Sequence, residues 1–121
     1  MFAVFYARCR PKSIWNGYRQ LRNLAIVALL FSTGMRVGEA SSLNVEDFAA
    51  QEGVFAIEGK GGRRRLAFAV DQNTLQIQKD HLEARMKLEA DGPALFLNAS
   101  RRRLSTQGVT KMIAKALQDE I

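Results

Sequence analysis

The run Thr33-Gly34-Met35-Arg36-Val37-Gly38-Glu39 sets an arginine just behind a glycine turn, at the head of a short helical pattern. The free N–H groups and dipole of a helix start favour an anion there. A guanidinium at that point can hold two non-bridging phosphate oxygens together, which a lysine ammonium does less well. Glu39, three residues on, shares a helical face with Arg36 and can orient it. The same two residues also fit a plain surface ion pair, which contributes little. The second feature is Lys60, set among Gly59, Gly61 and Gly62 and followed by Arg63, Arg64 and Arg65. Such a tip can change conformation and carry an ammonium group to a bound anion, or it is a turn lysine kept for solubility. It is no P-loop, because Gly61 follows Lys60 where that motif has Ser or Thr, and the glycine spacing differs. The third feature is Arg101-Arg102-Arg103, in polar turn sequence where backbone can approach a phosphate chain; a solvated basic loop is the alternative.

Other chemistries have little to work with. The tyrosines, Tyr6 and Tyr18, both precede Arg36. A single Cys9 and a single His81 exclude an intrachain disulfide and a structural zinc site of the usual Cys/His type. No metal and no cofactor is expected.

The elements that must position these residues follow from periodicity. Residues 1–20 lack a clear pattern, and Pro11, Ser13, Asn16 and Gly17 suggest a loop or broken helix. Arg22 to Thr33 reads as a buried helix stopped by Gly34, and a second helix starts near Met35 or Arg36 and runs through Leu43. Val45 to Phe48 suggests a short strand. Val54–Glu58 and Arg64–Val70 read as a hairpin around Gly59–Gly62, with Leu66, Phe68 and Val70 alternating toward the core. Asp71 caps a helix through about Leu88, with Leu75, Leu82 and Met86 inward. Asp91-Gly92-Pro93 breaks it, and Ala94–Leu97 is a short apolar segment. The last helix follows Ser105 and Thr106, with Val109, Met112, Ile113, Ala116 and Leu117 on one stripe. The expected fold class is α+β, mainly helical with a small antiparallel sheet.

The 121 residues carry 18 Lys+Arg and 12 Asp+Glu, a formal charge of +6 that points to a polyanionic partner. A further basic cluster, Arg8/Arg10/Lys12 with Arg19/Arg22, adds to the two above. An anionic membrane is a poorer fit, since no basic amphipathic helix accompanies the clusters. The longest apolar run, Leu24 to Phe31, is eight residues, against the roughly 20 that span a bilayer. Apolar residues precede basic ones at the N-terminus, the reverse of a secretory signal. A soluble cytoplasmic protein is expected.

The segment Arg22 to Phe48 resembles the first conserved box of the tyrosine recombinases, the phage integrase family, with Thr33 to Glu39 matching T-G-x-R-x-x-E. Gly59 to Arg65 resembles that family's G-K-G-x-K-x-R hairpin, and Ala94-Leu95-Phe96 leading to Leu104-Ser105 resembles its L-F segment, basic loop and capped helix. The resemblance implies Arg36 and Lys60 as catalytic positions supported by Glu39, with Lys60 as general acid toward the departing 5′ oxygen. It implies DNA contacts from Arg36, Lys60, Arg63, Arg64, Arg65, Arg101, Arg102, Arg103, Ser105 and Thr106, and double-stranded DNA as the partner. The family's His-x-x-Arg box and late nucleophilic tyrosine have no counterpart here, and His81 is followed three residues later by Ala84. The resemblance therefore implies the N-terminal half of a catalytic domain, residues 21–121, behind a poorly defined segment 1–20. Its parent would cut and rejoin DNA through a 3′-phosphotyrosine, while this chain alone would be inactive. A stand-alone DNA-binding or recombinase-interacting module without chemistry is the alternative. Apolar surface left uncovered would favour a homo-oligomer, domain-swapped through residues 1–20 or 105–121.

Overall fold

The computed structural model describes residues 11–69 and 71–120. Its first element, α1 (Pro11–Thr33), has proline in its opening position, where the missing N–H costs nothing. Tyr18, Leu21, Ala25, Ile26 and Leu29 follow at helical spacing and are all buried. The loop or broken helix expected over residues 1–20 is thus corrected for residues 11–20, which are helical and continuous with the rest of α1. A glycine inside a helix costs about 1 kcal/mol, and at Gly17 the burial of Tyr18 and Leu21 on the same stretch outweighs it. Residues 1–10, with Arg8 and Arg10, lie outside the described residues.

Thr33 and Gly34 end α1. The Thr33 hydroxyl donates to Leu29 O (2.7 Å) and accepts from Met35 N–H (3.1 Å). Gly34 then reverses the chain at φ +67°, a left-handed value that L side chains rarely adopt, while its N–H closes on Leu30 O. α2 (Val37–Ser42) starts immediately. Val45–Asp47 forms a single 3-10 turn where a strand was expected, and only Phe48–Ala49 pairs, as β1. The cause is local: Asp47 Oδ2 accepts the Asn44 N–H at 2.8 Å, curling the chain before it can extend.

β1, β2 (Val54–Glu58) and β3 (Arg64–Phe68) form an antiparallel sheet in that order. The hairpin forms as expected, but its buried face is the opposite one. Phe55 and Ile57 of β2 are buried, and register places Ala67 and Arg65 opposite them. Ala67 is therefore the inward residue of β3, and Leu66 and Phe68 are 60% and 58% exposed. Phe48 stacks on Phe55 with ring centroids 4.4 Å apart, anchoring this face on the core.

Asp71 caps α3 (Gln72–Met86), accepting from Thr74 N–H at 2.7 Å. Leu75 and Leu82 pack against the core, but Met86 is 61% exposed. The face that α3 buries is largely polar: Gln78 donates to Ala25 O, Arg85 to Ala94 O and Gly92 O, and His81 meets the Tyr18 hydroxyl at 3.0 Å. Residues 94–97 pass through the core, bending at Leu95 and Phe96, with their ends bridged to Asn44 and Arg103. α4 (Thr106–Glu120) buries Val109 and half-buries Met112 and Ile113; Leu117, at the far end of the stripe, is 61% exposed. The chain is mainly helical with a three-stranded antiparallel sheet. Among the described residues, no helix is long and apolar enough to cross a membrane.

Candidate nucleic-acid interface

Arg36 stands at the head of α2 in extended conformation, exposed, its backbone held by the Thr33–Gly34 turn behind it. Glu39 does pin Arg36, though through the backbone: Glu39 Oε1 accepts the Arg36 N–H at 2.9 Å. Its ion pair is with Arg65, whose two terminal nitrogens donate to Oε2 and Oε1 at 2.6 and 2.9 Å. The hydrogen bonds from Arg65 hold the Glu39 carboxyl below the usual carboxylate range, against a smaller opposing effect of burial. The expected Arg36–Glu39 side-chain pairing is thereby corrected. None of the ion pairs among the described residues involves Arg36, so its guanidinium faces solvent without a carboxylate to displace.

Arg65 lies at the root of β3, so its pair with Glu39 ties the glycine hairpin to the Arg36 turn. At the tip, Lys60–Gly62 makes one 3-10 turn, with Gly61 at φ +76°, and Gly59 N–H closes on Arg63 O. The Lys60 side chain lies outside the described residues. Arg63 is exposed, and Arg64 pairs with Asp47 at 3.4 Å.

The start of α4 completes this face. Gly38 of α2 faces the head of α4: a Cβ there would sit 3.9 Å from Thr106 Oγ1, in ordinary contact. Ser105 Oγ accepts the Gly108 N–H at 3.0 Å as the helix cap and keeps its own proton to donate. Ser105 and Thr106 are both exposed.

The arginine triplet divides. Arg102 is exposed beside Asp91 at 3.5 Å. Arg101 takes the left-handed φ of +64° and lays its guanidinium over Trp15, 4.8 Å from the ring centroid. Arg103 turns inward, donating to Ser41 O and Leu43 O at 2.9 Å and to Asn44 Oδ1. It satisfies carbonyls at the end of α2, and Arg103 is therefore corrected from a backbone-tracking side chain to a structural clasp. No local signal could have shown this, because its partners lie about 60 residues away.

Tyr18 is no candidate for covalent chemistry. Burial pushes its hydroxyl up to about 12, and Oη accepts the Leu97 N–H at 3.0 Å. The same hydroxyl lies 3.0 Å from His81 Nε2, a buried hydrogen bond that holds the ring in place.

The phage integrase family profile matches residues 11–120. The chain belongs to this family, the tyrosine recombinases. It is 34% identical over 102 residues to the tyrosine recombinase XerC of Lactobacillus delbrueckii subsp. bulgaricus, covering 81% of this chain and 34% of that protein. Over 101 residues it is 38% identical to XerD of Oceanobacillus iheyensis, with 81% and 34% covered. Among solved structures, XerA recombinase superposes at a TM-score of 0.75 with 27% identity, over 87% of this chain and 38% of that one. XerH site-specific recombinase bound to its difH substrate gives 0.64 with 25% identity, over 82% and 30%. The chain spans about a third of the length of these relatives.

Proposed function

We propose that this chain is a DNA-binding portion of a tyrosine recombinase, whose complete parent integrates and recombines DNA by cutting and rejoining through a 3′-phosphotyrosine. The observation that carries this reading is the exposed Arg36 at the head of α2, its backbone held by Glu39 and the hairpin root held by the same carboxylate through Arg65. Arg36 takes the two non-bridging oxygens of a phosphate, and Lys60 protonates the departing 5′ oxygen. Exposed Arg63 and Arg64, with the Ser105 and Thr106 hydroxyls, hold flanking phosphates; Arg102 extends that track. These contacts position the duplex without reading its sequence. Duplex DNA is the partner, and a reducing cytoplasm is the setting.

No tyrosine follows Arg36 in these residues, and covalent phosphotyrosine chemistry requires one. Incubation with a nicked suicide duplex is expected to yield no protein–DNA adduct by denaturing electrophoresis. An adduct mapped to Tyr6 or Tyr18 would contradict the assignment of roles.

Self-association belongs to the same reading. Phe31 is 89% exposed, and Leu66, Phe68 and Leu117 are each about 60% exposed, apolar side chains that a second copy would cover. A homo-oligomer follows, exchanging residues 1–20 or 105–121 between copies. Light scattering across a dilution series is expected to give at least twice 13.5 kDa. A 13.5 kDa species at every concentration would reject it.

A further inference from the structure

Between α1 and α4 lies a groove of about 520 Å³, lined by Arg19 and Arg22 from α1 and by Lys111, Met112, Lys115 and Ala116 from α4. No carboxylate lines it. Arg22 is buried in the floor, its guanidinium occupied by Leu97 O and Asn23 Oδ1. Arg19, Lys111 and Lys115 are exposed, and none joins an ion pair among the described residues. Cations therefore stand on both walls, with the i, i+4 pair Lys111/Lys115 on one and Arg19 on the other. Half-buried Met112 and exposed Ala116 supply an apolar strip between them, and exposed apolar side chains continue on both helices at Leu24 and Leu117.

This combination selects among anions. A duplex backbone is convex and hydrated, so phosphates on the two walls would leave the apolar strip uncovered. An amphipathic helix covers such a strip with its apolar face while its flanks meet both walls. Residues 1–10 carry Arg8 and Arg10 and no Asp or Glu, so charge rules them out as the occupant.

We propose that the α1–α4 groove docks an amphipathic helix of a partner protein, its apolar face on Met112 and Ala116 and its flanking carboxylates on Arg19, Lys111 and Lys115. The surface is separate from Arg36 and does not depend on the DNA reading. The probe is a fluorescein-labelled helical peptide of about 20 residues with a leucine stripe and glutamate flanks, compared with a twin carrying lysine flanks. The glutamate peptide should bind saturably and at least about tenfold more tightly than the lysine twin. K111E/K115E should reverse that preference, the lysine twin now binding the variant better, which also shows the variant to be folded. Arg36→Ala should leave peptide binding unchanged. Absence of binding, or equal binding of the two peptides, would overturn the proposal. So would a K111E/K115E variant that keeps the peptide preference and loses affinity for duplex DNA, since the groove would then be a nucleic-acid track.

Discussion

Lowering the pH from 6.5 to about 4.5 is expected to cost the folded chain on the order of 2 kcal/mol through one side chain, His81. Burial, reinforced by the charges of Arg85 and Arg22, pushes its imidazole down from 6.5 to about 3. Between those values the unfolded chain holds one more proton than the folded chain. Stability must therefore rise with pH through this window, be complete above 6.5, and be lost as pH falls toward 3. The neutral ring has a defined job: Nε2 hydrogen-bonds the Tyr18 hydroxyl, whose oxygen accepts from Leu97 N–H, and the ring packs on Phe96 at 4.8 Å. Protonation would place a third cation, almost fully buried, beside two arginines. His81 is the only histidine, so no other side chain of ordinary pKa titrates between 5 and 6.5. Urea denaturation at about pH 7, 6 and 5 should approach a loss of about 1.4 kcal/mol per pH unit below 6.5. His81→Gln should be less stable at neutral pH yet much flatter across the series. Equal slopes in both proteins would show that His81 is not the group responsible.

How far such sites could be read in advance depended on the range of the interactions that build them. The Arg36 turn was legible because everything shaping it is local: a Thr hydroxyl bridging Leu29 and Met35, a left-handed glycine, and a carboxylate three residues along. The cap at Asp71 and the helix start at Ser105 were legible for the same reason. What Glu39 grips was not, since Arg65 is 26 residues away and arrives only through the register of β2 against β3. That register also inverted the expected face of β3: Leu66 and Phe68 are larger than Ala67, but the parity was decided by Phe55 and Ile57 on the neighbouring strand. The inward turn of Arg103 and the polar seam of Gln78, His81 and Arg85 were hidden likewise. Both carry side chains whose types read as surface, and both are paired with carbonyls or hydroxyls from distant segments. In α1, the Asn16-Gly17 pair suggested a break that long-range burial of Tyr18 and Leu21 overrides.

The central claim is that Arg36 and Lys60 together engage the phosphates of duplex DNA. It is tested most directly by fluorescence anisotropy of a labelled duplex of about 20 base pairs, titrated at a series of salt concentrations. Wild-type affinity should fall steeply and linearly on a log–log plot against salt, and with little regard to sequence. Arg36→Ala/Lys60→Ala removes two phosphate contacts, so it should weaken binding by about tenfold or more at low salt and flatten the slope by roughly 1.8. Arg36 is exposed, and thermal unfolding of the variant should match wild type and exclude loss of fold as the cause. No binding of the wild-type chain at low salt, or an unchanged slope in the double variant, would contradict the claim.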